Sequence, residues 1–237
     1  MPGVSKQLSP AEAMLERLEA AYPDAHCELH HETPFQLLVA TVLSAQTTDK
    51  LVNRVTPALF SVYPDAPRLA AADAADVQQR IAHIGMFRQK TKNIVGLARA
   101  IMERHQGQVP QTLRELVELP GVGRKTANVV LGVAFAQAEG VVVDTHVQRL
   151  SQRLGWTTNV TPEKIEQDLM NLFSETHWQQ IPHILIVHGR QCCLARSPLC
   201  GTCVVAEACP SAGKAEFVGR KGKYAARVPA IIQRPSR

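Results

Sequence analysis

Aromatic side chains are scarce in this 237-residue chain, 5% of the total, and no run of eighteen or so apolar residues occurs in it. The second absence excludes a membrane-spanning helix. Met1 to Gln7 lack an apolar core behind a basic start and do not read as a secretory signal. The protein is therefore expected in the cytosol, where structural disulfides are rare. Sustained period-two alternation is also missing, apart from the short apolar run Val141–Val143. No internal repeat is visible, and few aromatics in an Ala-rich chain lean towards helices. The net charge of +5 is unevenly placed. From Gly213 onward, Lys214, Arg220, Lys221, Lys223, Arg227, Arg234 and Arg237 stand against Glu216 alone. That segment is +6, and subtracting it from +5 leaves the body at −1. Such a tail either strengthens non-specific attraction to phosphate through counterion release or is a solvated extension.

Helix start signals follow one another along the body. Ser9, Pro10 and Glu12 form a capping box with proline at the first helical position, ahead of Met14, Leu15 and Leu18. Thr33 and Pro34 precede the apolar stretch Phe35–Ala45. Asp73 and Asp76 open a helix carrying Val77 and Ile81. An amphipathic run from Arg88 to His105 stops at Gly107. Thr112 with Glu115, and Thr161 with Pro162 and Glu163, begin two more. The helix from Arg124 to Ala136 is apolar almost all round and is expected in the middle of a domain. Its only charges, Arg124 and Lys125, lie in the first turn.

Leu119, Pro120, Gly121, Val122 and Gly123 lead into that helix. Two glycines spaced by one residue allow a tight turn and a close backbone approach to another molecule. Their N–H groups, with the open amides of the next helix, can cradle one phosphate oxygen. Val122 is expected at the tip as an apolar spacer. The alternative is a corner between helices that binds nothing. Leu-Pro before the glycines and Arg-Lys-Thr-Ala after them favour a helix–hairpin–helix DNA-binding motif.

Leu119–Leu131 (LPGVGRKTANVVL), Val143–Val147 (VDTHV), Leu43–Asp49 (LSAQTTD) and a C-terminal cysteine cluster together resemble the endonuclease III family. That family is the iron–sulfur branch of the helix–hairpin–helix DNA glycosylases. The resemblance spans roughly Ala11 to Pro210, in the family's motif order. It implies that Lys125 attacks C1′ of a damaged nucleotide, expels the base and forms a Schiff base that promotes β-elimination. Attack needs an uncharged amine, and a helix N-terminus supplies only about 0.3–1 kcal/mol towards it. Burial at the mouth of the apolar helix is expected to supply most of the rest. Asp144 reads from its position as the N-cap of the helix carrying Leu150 and Leu154; the resemblance makes it the catalytic aspartate as well. His146 either contacts phosphate or caps. A glycosylase must extrude its target and fill the gap. The resemblance gives that task to Gln46, and a second position to Met86, which is otherwise a packing residue.

Cys193, Cys200, Cys203 and Cys209 are spaced C-x6-C-x2-C-x5-C. Thiols this close in an intracellular protein bind metal. Zinc sites favour two short pairs brought together by folding, whereas one compact loop with a single Cys-x-x-Cys suits a [4Fe–4S] cubane; the spacing also matches the family's cluster loop. Cys192 is an extra neighbouring thiol, and Cys27 reads as incidental.

The expectation is an all-α chain of two lobes with a cleft between them that places Lys125 opposite Asp144. A six-helix barrel with the hairpin covers 28–138. The iron–sulfur lobe covers 1–27 and 139–212, and the basic tail 213–237. The implied activity is bifunctional: removal of oxidised pyrimidines from duplex DNA, then nicking of the abasic site by β-elimination. The expected protein is a monomer in the nucleoid-associated cytoplasm. A monofunctional adenine glycosylase is the first alternative, although it would need a glutamate in the second helix and Phe35–Thr48 has none. A non-catalytic iron–sulfur DNA-binding protein is the second.

Overall fold

Helices begin where a capping side chain, a proline and an acidic residue coincide. In the computed structural model, which describes residues 8–218, Ser9 Oγ accepts from the Glu12 amide at 3.2 Å. Glu12 Oε2 accepts from the Ser9 amide at 2.8 Å, closing the capping box of α1 (Pro10–Ala21). Thr33 caps α2 (Pro34–Ser44) and Thr48 caps α3 (Asp49–Phe60). Asp65 caps α4 (Ala66–Ala70), and Asp73 caps α5 (Ala74–Arg80). The long α6 (Phe87–His105) stops where Gln106 and Gly107 take left-handed φ of 54° and 82°. Thr112 caps α7 (Leu113–Val117), and α8 (Arg124–Phe135) follows. The remaining helices are α9 (Thr145–Arg153), α10 (Pro162–Leu172), α11 (Glu175–Trp178) and α12 (Gln180–Gln191). Among the described residues there is no strand, and Val141–Val143 lies in neither helix nor strand. Met1–Gln7 and the basic positions from Arg220 onward lie outside the described residues.

The chain divides into two compact units. One is continuous, Cys27–Glu139; the other joins the residues up to His26 to those from Gly140 on. The internal unit holds α2–α8. Its central helix is α2, where all nine residues from Phe35 to Leu43 are buried. It packs against α3, α6 and α8. Each fully buried Leu or Val there contributes about 1.5–3 kcal/mol of transfer free energy. The helix expected at the centre, α8, is partly exposed instead. Ala127, Asn128, Val130, Leu131 and Gly132 are buried, whereas Val129, Val133 and Phe135 are only half-buried. An all-round apolar pattern fits either place, and the nine buried residues of α2, apolar but for Gln36 and Thr41, take the middle.

The terminal unit holds α1 and α9–α12. Trp156 is fully buried and meets Phe173 edge to face, with centroids 4.8 Å apart. The N-terminal segment is tied to α12 by Tyr22 Oη–His188 Nδ1 at 2.9 Å and by Gln180 Nε2 donating to Ala25 O at 2.8 Å. The segment read as the start of the basic tail is packed as far as Val218. Ala215 and Val218 are both buried, around a short 3-10 turn at Ala215–Phe217.

Candidate nucleic-acid interface and metal centre

The hairpin between α7 and α8 turns at Gly121, whose φ is +78°. A side chain there would be strained by that φ, and its Cβ would stand 2.8 Å from the Asn93 side chain of α6. Gly123 is the N-cap of α8 at φ −95°, and nothing lies within 4 Å of where its Cβ would be. Glycine at 121 is therefore required by the protein's own packing. At 123 it leaves open space beside amides that no side chain caps. Val122 is not at a solvated tip: it is 6% exposed and belongs to the core of the internal unit. Its N–H donates to Leu119 O at 3.1 Å, which curls the loop inward and anchors it.

Lys125, in the first turn of α8, is exposed. Burial within its own unit therefore does not supply the desolvation that the sequence led us to expect. Thr126, half-buried, and Ala127 and Asn128, both buried, follow it, so the helix enters the core two residues past the lysine.

Gln46 and Met86 are both exposed, Met86 by 54%, so Met86 is not a core residue. Both are non-glycine residues in the left-handed region, at φ 54° and 58°. That conformation is uncommon for such side chains and costs on the order of 1–3 kcal/mol, sustained by the surrounding structure. Gln46 follows the C-cap of α2; Met86 is the N-cap of α6.

In the terminal unit, Asp144 caps α9. Its Oδ1 accepts from the His146 and Val147 amides, each at 2.8 Å, and its Oδ2 lies 3.2 Å from His146 Nδ1. His146 is thus a partner of the capping aspartate. The neighbouring helix approaches closely at Gly189, where a Cβ would come within 3.0 Å of the His146 ring.

Cys193, Cys200, Cys203 and Cys209 line one hollow, with Cys192 and His188 on its wall. Cys203 Sγ, Cys192 Sγ and a His188 ring nitrogen lie within 4.8 Å of one another. Two arginines of α9, which sequence reasoning missed, organise the first ligand's loop. Arg153 is 2% exposed and donates to Leu194 O at 2.7 Å and to Ala195 O at 3.0 Å. Its Nη1 also stands 3.4 Å from Cys193 Sγ. Arg149 donates to Gly189 O at 3.1 Å and to Cys193 O at 3.3 Å. In sequence these two look like an ordinary polar i, i+4 pair. Burial pushes the Cys209 thiol up to about 11, and burial with the Arg149 charge pushes His188 down to about 4. Apolar walls that disfavour lone thiolates, four sulfurs and nearby guanidinium charge suit an anionic thiolate-bound cluster. The residues fit the group.

The model of the HhH-GPD superfamily base excision DNA repair protein matches residues 39–175, and that of the iron–sulfur binding domain of endonuclease III matches residues 193–209. Fold and motifs thus define a helix–hairpin–helix base-excision repair protein with an iron–sulfur centre. Endonuclease III of Synechocystis sp. is 55% identical over 82% of this chain and 89% of its own length. That of Escherichia coli strain K12 is 38% identical over 83% and 92%. A solved structure of a trapped endonuclease III–DNA covalent intermediate aligns with TM-score 0.81 at 41% identity, covering 88% of this chain and 99% of that one. The chain belongs to the endonuclease III family. It is a DNA glycosylase with abasic-site lyase activity, binds DNA, and carries a [4Fe–4S] cluster. A thermostable thymine-DNA glycosylase, 19% identical with TM-score 0.73, shares the fold. Among the described residues no helix is long and apolar enough to cross a membrane.

Proposed function

We infer that this enzyme acts on oxidised pyrimidines in duplex DNA, with Lys125 as nucleophile and Asp144 as its acidic partner. The observation that carries the reading is the placement of Lys125: an exposed amine in the first turn of α8, two residues past a glycine N-cap with no capping side chain. An amine so placed can reach a sugar whose phosphate rests on the hairpin amides. Its lone pair bonds to C1′ as the glycosidic bond breaks and the base leaves with that electron pair. Opening of the C1′–O4′ bond gives the Schiff base, and loss of a C2′ proton expels the 3′ phosphate. The trapped endonuclease III–DNA intermediate supports a covalent route for this family. Because Lys125 is exposed, the desolvation that favours its neutral form comes from bound DNA covering it.

The cap bonds to Oδ1 fix the Asp144 carboxylate, so it can take up the amine proton and face positive charge developing at the sugar. Gln46 and Met86 enter the duplex as the lesion leaves it. Gly121 and Gly123 hold phosphate, Val122 anchors their loop, and His146 steadies Asp144. Cys193, Cys200, Cys203 and Cys209 hold the cluster, since the matched iron–sulfur segment begins and ends on the outer two. When bound, the cluster supplies a structural tie for the loop and no step of the reaction. The enzyme works as a monomer in the nucleoid-associated cytoplasm.

Borohydride reduction during reaction on abasic duplex DNA tests the chemistry. Covalent adduct is expected with the native chain and lost in Lys125→Ala. Release of an oxidised thymine or cytosine, but not of adenine from a mismatch, tests the lesion class. Adduct formation that survives Lys125→Ala overturns the nucleophile.

A further inference from the structure

Lys90, on α6, lies in the polar run Arg88–Lys92 that any sequence reading assigns to a solvated face, yet it is 3% exposed. Its ammonium donates to Leu43 O at 2.8 Å, to Ala45 O at 2.7 Å and to Thr47 Oγ1 at 2.8 Å. The first two are carbonyls at the C-terminal end of α2, where the helix dipole favours a cation. The three oxygens bracket Gln46, whose φ of 54° is among the strained positions of the chain. The backbone amide of the same lysine donates to Met86 O at 3.0 Å, directly behind the second left-handed residue. The side chain thus ties the exposed, strained Gln46 turn, whereas the amide bond to Met86 O is the ordinary helical bond that opens α6; every partner of the ammonium is a neutral oxygen.

Burying a cation among neutral groups is costly, and desolvation lowers the Lys90 pKa from its ordinary value. A methionine or leucine would fill the same space without that cost, so packing alone does not explain the ammonium. What the ammonium adds is directional. Three acceptors converging on one ammonium hold the α2–α3 turn, with Gln46 exposed between them.

We propose that Lys90 is a positioning residue for duplex entry, its ammonium holding the Gln46 turn in the geometry that penetrates the helix when the lesion is extruded. The proposal rests on the DNA-entry role assigned to Gln46. It makes no contact with DNA itself and takes no part in the bond-breaking steps.

The test compares single-turnover cleavage of an abasic site in duplex and in single-stranded DNA, using the full-length, cluster-loaded enzyme. Only the duplex requires entry. Lys90→Met is expected to slow the duplex reaction by about tenfold to a hundredfold, the range that misplacement of a positioning group produces. Cleavage of single-stranded abasic DNA is expected to change less than about twofold in the same variant. Gln46→Ala gives the reference loss, and Lys90→Met added to Gln46→Ala is expected to cost little more, because the two act as one unit. An unchanged duplex rate in Lys90→Met, equal losses on both substrates, or fully additive losses in the double variant each overturn the proposal. If Gln46→Ala leaves the duplex rate unchanged, the entry role of Gln46 falls, and the proposal with it. If Lys90→Met does not fold with its cluster, Thr47→Val removes one of the three acceptors. A duplex-selective loss there upholds the proposal and an unselective one overturns it.

Discussion

The Arg153 guanidinium lies 3.4 Å from Cys193 Sγ and spans the next two residues of the loop by hydrogen bonds to Leu194 O and Ala195 O. Arg153 therefore holds the loop beyond the first sulfur, beside the bond that Arg149 makes to Cys193 O. Arg153→Met keeps the packing volume and leaves those carbonyls without their donor. A loss of about 1.5–3 kcal/mol is expected, the worth of a hydrogen bond from a charged donor, because water replaces the donor at exposed Ala195. The visible absorbance of the iron–sulfur centre, read against denaturant, checks this. Wild-type cluster retention and midpoint would show that the loop is held by the cysteines alone.

Asp144 combines a helix cap with a carboxylate, and the two roles separate in Asp144→Asn. Asparagine caps about as well as aspartate, so stability should change by less than about 1 kcal/mol. The charge is gone, so the glycosylase rate should fall on the order of a hundredfold. Thermal unfolding and single-turnover base release, measured on one preparation, decide it. Comparable losses in both would reduce Asp144 to its capping role.

The two hairpin glycines should fail in different ways. Gly121→Ala forces a side chain into a φ of +78° and onto Asn93, at a cost of about 1–3 kcal/mol of stability. Gly123→Ala meets nothing within 4 Å and has an ordinary φ, so the fold should be almost unaffected. On the proposed phosphate contact its added methyl would meet the phosphate, so DNA affinity should drop about tenfold. Calorimetry paired with a binding isotherm separates the two. Normal affinity in Gly123→Ala would remove the hairpin from the DNA contact.

Lys125 is exposed in the free protein. An amine-acylating reagent should therefore modify it readily, and saturating abasic duplex should protect it. Peptide mapping with and without DNA reads the difference. Equal labelling in both states would place the lysine away from the bound strand and undo the mechanism drawn from it.

Much of this was legible from local pattern. Ser9 with Glu12, Thr33 with Pro34 and Asp144 before Thr145 announce their helices, because a cap is made by residues adjacent in sequence. The hairpin motif and cysteine spacing were legible for the same reason. Tertiary burial was not. Val122 reads as a loop tip until α6 is seen beneath the hairpin, and α8 looks as central as α2. Lys90, Arg149 and Arg153 look like solvated charges, because their acceptors are carbonyls about 40 or more positions away. A backbone oxygen leaves no trace in the amino-acid alphabet. The exposure of Lys125 was hidden likewise, since the core begins only two residues later, at Ala127.

The interrupted terminal unit has a consequence for synthesis. Helix α1 leaves the ribosome before the internal unit does, but its partners on α12 lie some 160 residues downstream. The internal stretch, made in one piece, can close its core while α1 still waits. Helix α1 is therefore made before the internal unit yet secured after it, and nascent chains stalled before α12 should hold one folded body and one unmatched amphipathic helix.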